Sequence, residues 1–228
     1  MTVTRRSQAL RRIRPGGGPE DHERWQQRKS LKTRQDMLEA AIDGLVEHGY
    51  AGLSINDVVR RTGVSRGAVH HHFPSRSALL AGLIEHVFYH RMRHFLDEFL
   101  ARLKQPLPGD MPDNPHRLAI ELHWQSLHSR EFAAYLRLAV AARSDKALAD
   151  IFRPAARLYD EVWIGEMRHA FPLWRGAEDK MQLASDLTQA VQTGLLIHQP
   201  TIGEERTSQI QDRIAAMVEE LAREAQSS

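Results

Sequence analysis

The chain contains no cysteine. That excludes disulfides and thiol chemistry, and it fits a protein kept in the reducing cytoplasm. No stretch approaches the run of about 18 apolar residues that spans a bilayer. The basic N-terminus lacks the apolar segment of a secretory leader, so no membrane partner is expected. No alternating apolar–polar stretch marks a strand, and no internal repeat is present. A nucleophile elbow, a Walker loop, a dinucleotide fingerprint and a zinc-protease helix are all missing. Spacing specifies no acid–base pair, so the sequence predicts neither an enzyme nor a cofactor.

What is present is ordinary in bulk and uneven in placement. The 228 residues are 42% apolar and 26% charged, with room for a small domain and a larger one. Net charge is only +2. Residues 1–76 hold 14 Lys/Arg against 8 Asp/Glu, and the remainder holds 17 against 21. The asymmetry fits a nucleic-acid-binding front on a neutral-to-acidic body.

The most informative stretch is Ser54 to Arg76. Ser54 is a good N-cap, and Asp57 suits the first turn of a helix. Ile55, Val58 and Val59 share one face. Gly63 follows the last helical residue, where a left-handed backbone costs least, and Ser65 caps a second short helix over about 66–72. Ala68, Val69 and Phe73 point to a core, whereas Arg66, Gly67, His70 and His71 point away from it. Gly67 is a poor helix former, which suggests that a backbone must come close to something. Two helices joined this way form a helix–turn–helix, whose second helix enters the major groove of double-stranded DNA. Pro74 and Ser75 stop it, and Arg76 opens the next helix, where a phosphate is favoured.

Thr33-Arg34, Ala40-Ala41, His48-Gly49-Tyr50, Ser54-Ile55, Asp57-Val58, Gly63-Val64-Ser65, Gly67, His72-Phe73 and Ala78-Leu79-Leu80 follow one another in register. Over residues 31–83 the chain resembles the DNA-binding domain of the tetracycline-repressor-like (TetR) family of bacterial regulators. Two departures stand out: His70 and His71 replace aromatic residues common in that family, and Leu53 replaces a common Thr. The resemblance implies an all-α protein, with a three-helix DNA-binding domain followed by a larger helical effector-binding and dimerisation domain. It implies a homodimer formed by the two C-terminal helices. It also implies a regulator, most often a repressor, that binds a pseudo-palindromic operator and is released by a small molecule. Arg66, Gly67 and His70 would face bases, and Thr33, Arg34, Ser54, Ser65, His71 and Arg76 would hold backbone or phosphate.

The expected divisions are a basic arm over 1–27, the DNA-binding domain over 28–76 and the effector domain over 77–228. The arm carries five arginines between positions 5 and 14, then Pro15-Gly16-Gly17-Gly18-Pro19; it is read as flexible, a solvated tail or a phosphate-tracking segment. A first helix spans 28–49 and a long one 76–104. A loop fills 105–115, and helices follow over 116–128, 131–143 and 145–152. Pro154 should kink or split the chain there, before helices over 155–171, 178–197 and 207–225. In the body, Tyr159, Trp163 and Met167 share one helix face, with Trp124 and Tyr135 nearby. They are either core or the wall of a cavity for an apolar effector, with His123, His128 or Arg137 as polar anchors. His86, His90 and His94 fall one helical turn apart, opposite the apolar stripe. They are expected to be exposed, and no metal site is assigned to them. A different reading keeps the helical body as a small-molecule- or metal-binding protein that does not use its DNA head, supported only by His70 and His71.

Overall fold

A computed structural model describes residues 25–102, 115–171 and 174–226, with side chains from Arg28 onward. Of the arm expected over 1–27, residues 1–24 lie outside the described residues, as does most of the 105–115 loop, and residues 25–27 are helical instead. Among the described residues every regular element is helical, and none is a strand. No helix among them is long and apolar enough to cross a membrane.

The helices are α1 Trp25–Gly52, α2 Ile55–Thr62, α3 Arg66–His72, α4 Arg76–Arg102, α5 Pro115–Ser126, α6 Arg130–Ala141, α7 Lys146–Ala170 and α8 Glu178–Gln226. Met37, Leu38, Ala41, Ile42 and Leu45 line the fully buried face of α1, the stripe that a 3.6-residue period dictates. Gly49 interrupts α1 with φ 72°, a backbone open to glycine and strained for other residues. Hydroxyl and carboxylate caps set the later starts. Ser54 Oγ accepts from Asp57 N, Ser65 Oγ from Ala68 N, Ser75 Oγ from Ala78 N and Ser129 Oγ from Phe132 N. Asp145 Oδ1 accepts from Leu148 N. Each satisfies a donor that the first helical turn leaves unpaired.

Neither internal proline ends its helix, whereas the break expected between 197 and 207 does occur. Pro154 lies within α7 without ending it. Its side is exposed while Phe152 and Val162 are buried, so the carbonyl freed by the missing N–H faces water. Likewise Pro200 does not stop α8. The helical backbone is interrupted three residues later, at Gly203 (φ 79°, ψ 172°), and Thr207 Oγ1 donates to Gly203 O at 2.7 Å as the helix resumes.

The chain divides into two compact units. Among the described residues, one takes those up to Arg93 together with Ser129–Val162, and the other takes those from His94 to His128 and from Trp163 onward. This is not the division at 76/77 expected from the sequence. Polar ties explain why α6 and the first half of α7 join the head. Arg130 pairs with Glu39 and Asp43 of α1, and Tyr50 Oη donates to Asp145 Oδ2 at 2.7 Å. Phe88 stacks on Tyr159 at 4.8 Å within the same unit, and Arg91 lies 4.2 Å from the Tyr135 ring centre.

Candidate nucleic-acid interface and effector cavity

The helix–turn–helix is built as its sequence predicts. α2 ends at Gly63 (φ 68°), whose N–H donates to Val59 O. Asp57 is only 3% exposed and accepts from Arg60 and Arg61. The Arg61 fork also reaches Glu47 on α1 at 2.7 and 3.2 Å, which locks α2 to α1. On α3, Val69 and Phe73 are buried, while Ser65, Arg66, Gly67 and His71 are exposed and His70 is half-buried. A Cβ built on Gly67 meets nothing closer than Ser65 Oγ at 3.9 Å. The protein's own packing therefore gives no reason for glycine there. As caps, Ser54 and Ser65 use their oxygens as acceptors, and each hydroxyl proton stays available to donate.

Three residues expected at phosphate are engaged within the head. Arg76 Nε donates to Leu53 O at 3.3 Å, Nη2 donates to Tyr50 O at 3.1 Å, and Nη1 donates to Tyr50 Oη at 3.1 Å. Its guanidinium also lies 4.5 Å from the Tyr50 ring centre. It clasps the start of α4 to the corner between α1 and α2. Arg34 lies over Phe73 at 5.1 Å. Thr33 Oγ1 donates to Lys29 O at 2.9 Å, within its own helix.

In the second unit a cavity of about 530 Å³, open mouth included, lies among α4, α5, α7 and α8. Phe95, Trp163, Met167, Phe171, Trp174 and Met181 form much of its wall. Its polar lining comes from His116, His123, Ser185, Thr188 and Gln189, and no Asp, Glu, Lys or Arg lines it among the described residues. Trp163 Nε1 donates to Ser185 Oγ at 3.0 Å. Gln192 is fully buried, and its amide nitrogen donates to Ile120 O at 3.0 Å and Gln211 Oε1 at 2.7 Å. Its oxygen must then accept, so His123 Nδ1–H donates to it at 2.5 Å. His116 stacks on Phe171 at 5.0 Å, and burial holds it below the ordinary imidazole pKa.

Residues 37–83 match the family model described as bacterial regulatory proteins, tetR family. Over 151 residues the chain is 32% identical to the HTH-type transcriptional regulator CymR of Pseudomonas putida, covering 62% of this chain and 68% of CymR. The chain belongs to the TetR family. A 55-residue segment is 40% identical to the transcriptional repressor AcnR of Corynebacterium efficiens, 24% of this chain and 29% of AcnR. Among solved structures, the multidrug binding protein EbrR complexed with imidazole superposes with TM-score 0.57 at 19% identity, over 79% of this chain and 93% of that one. It supports the all-helical fold. As a TetR-family member the protein is a DNA-binding transcriptional regulator.

Of the residues expected to meet an effector in this TetR protein, the structure brings His123, Trp163 and Met167 together at the cavity. Tyr135 and Tyr159 pack elsewhere, around Arg91 and beside Phe88 in the first unit. The shared stripe on α7 divides because the helix leaves one unit after Val162. Eight helical residues span about 12 Å, enough to carry Met167 away from the layer that holds Tyr159. Trp124 and His128 meet edge to face at 5.0 Å, away from the cavity lining, and Arg137 donates to Ala133 O. Sequence reasoning missed Phe95, His116, Phe171 and Trp174. The signal was weak: Phe95 lies within a long helix, and His116, Phe171 and Trp174 lie near or beyond helix ends, where no periodicity marks them.

The expectation of an exposed histidine stripe on α4 is overturned. His86 is 2% exposed, and its Nε2 donates to Glu39 Oε1 at 2.7 Å. The His90 ring centre lies 4.1 Å from that of His86 and is half-buried; only His94 is exposed. The reason is α1, which covers this side of α4 and which a single-helix projection does not show. The hydrogen bond from His86, with Arg130 nearby, holds the Glu39 carboxyl down at about 2. Burial, then the charge of His86, lowers His90.

Proposed function

We propose that the protein is a homodimeric repressor whose α3 reads operator DNA and whose second unit binds an uncharged, largely apolar effector that releases it. The exposed face of α3 carries this reading: an arginine, an open glycine and two histidines opposite buried Val69 and Phe73. Arg66 and His70 would reach base edges, with Gly67 admitting the duplex closely. Ser54, Ser65, His71 and Thr33 would position the backbone. The repressor assignment draws on AcnR, and the effector assignment on EbrR and on the cavity. A wall whose described residues include no Asp, Glu, Lys or Arg disfavours a charged ligand, because burying an unpaired charge is costly. Phe95 of the cavity belongs to α4, the helix that begins at Arg76 beside the head. A ligand that fits one placement of α4 better than another would shift the spacing of the two heads.

The dimer surface would run along α8. Leu183 and Ile197 are 48% and 58% exposed. With Leu187, Ala190 and Gly194 they recur at +4, +7, +11 and +14, a helix-pairing stripe with small residues at its middle. Fluorescence anisotropy with double-stranded DNA flanking the protein's own gene tests the reading. Tight, salt-sensitive binding is expected, and Arg66→Ala should erase about 1–3 kcal/mol of discrimination at one base position. Equal binding to every fragment would refute sequence reading by α3.

A further inference from the structure

We propose that Glu39, His86 and His90 form a binding site for one divalent transition-metal ion of the zinc class, a site separate from the DNA-reading face and the effector cavity. One ligand atom from each residue lies within 4.8 Å of the other two. His86 and His90 are i and i+4 on α4, the spacing that aims two imidazoles at one point. Glu39 comes from α1, so the site ties two helices of the same unit.

The geometry needs little adjustment. A tetrahedral ion with bonds near 2.0–2.2 Å holds its ligands about 3.3–3.5 Å apart. The Glu39–His86 pair, now hydrogen-bonded at 2.7 Å, opens slightly, and the His90 ring turns inward. The ion replaces the proton between His86 Nε2 and Glu39 Oε1. That proton moves to His86 Nδ1 or leaves to solvent, so the ring ligates as a neutral imidazole. Arg130 Nη2 holds the other carboxylate oxygen, Oε2, which orients Oε1 toward the histidines as an outer-shell partner does. The Arg130 charge is offset by Asp43 at 2.6 Å and Glu131 at 3.1 Å, and Arg93 is the other cation acting on His90. Two imidazoles and one carboxylate select a borderline ion such as Zn²⁺ over Mg²⁺ or Ca²⁺, which prefer all-oxygen shells. Three protein ligands leave the fourth position to water.

The test uses the untagged full-length protein stripped with a chelator. Co²⁺ is titrated by its visible spectrum, and Zn²⁺ by competition with a chromophoric chelator. One ion per chain is expected, with the intense visible bands of tetrahedral Co²⁺. Zn²⁺ at a hundredfold excess over its Kd should raise Tm by about 5–10 °C. His90→Ala, which removes a half-buried ring, should weaken binding at least about 100-fold, and Glu39→Gln should act in the same direction. His94→Ala, one turn on and exposed, should leave binding unchanged. Absence of stoichiometric binding overturns the proposal. So does a folded His90→Ala variant that binds as tightly as the parent, which would place the ion elsewhere, for instance at His70–His72.

Discussion

Gly44→Ala should destabilise the head even though alanine is the better helix former. Gly44 lies in the middle of α1, where the exchange alone would favour the helix by about 0.8–1.0 kcal/mol. A Cβ there falls within 3.0 Å of Asp57 Oδ2, closer than real Cβ atoms come, and at 3.2 Å from Arg61 Nε. The Asp57 carboxylate is nearly fully buried, and its Oδ2 accepts from Arg61 Nε at 2.9 Å. Moving it aside breaks that bond and leaves a buried carboxylate underpaired. Breaking a buried pair costs about 3–5 kcal/mol; Arg61 keeps some access to water and to Glu47, and the helix gain offsets part of the rest. The net loss is about 2 kcal/mol, a Tm lower by about 4–8 °C for a chain of this size. Urea denaturation followed by circular dichroism reads it. The decisive comparison is the Asp57→Ala background, where the obstacle is gone and Gly44→Ala should stabilise by up to about 1 kcal/mol. An increase in Tm in the parent, or the same loss in both backgrounds, would refute the argument.

Other expectations are simpler. Arg76→Ala should lower stability by about 1–2 kcal/mol through loss of its bonds to Leu53 and Tyr50, while the salt slope of DNA binding stays put; a slope smaller by about one would restore it as a phosphate contact. Gly67→Ala should hold or raise Tm, because its Cβ meets open space, yet weaken operator binding in anisotropy; unchanged affinity would remove close approach as the reason for glycine. Leu183→Glu combined with Ile197→Glu should convert a dimer to a folded monomer in sedimentation velocity, and a persisting dimer would move the interface off α8.

Local chemistry made the head legible. Ser54, Gly63 and Ser65 act within four residues of their own position, so their caps and turn could be read directly. The body yielded its helices for the same reason, but not its groupings. Tyr159 and Met167 share a helix face, yet the unit boundary between Val162 and Trp163 separates them, and no periodicity encodes that. The cavity depends on Phe95, His116 and Trp174 converging from distant segments. His86 misled for a related reason: its exposure was judged against its own helix, whereas Glu39 arrives from 47 positions earlier. Arg76 looked like an anion ligand at a helix start, and only the fold shows Tyr50 occupying it.

The phenol of Tyr50 gives its proton to Asp145 and receives one from Arg76. One oxygen thus serves two partners drawn from widely separated stretches of chain. A phenylalanine at position 50 would take one bond from each of them at once, leaving Arg76 its carbonyl contacts and Asp145 its cap on Leu148 N, so relatives that lose this hydroxyl should also have drifted at positions 76 and 145. The three sites would be inherited as a set, and a chimera that swaps the head of one relative onto the body of another should fold well only when all three come from the same parent.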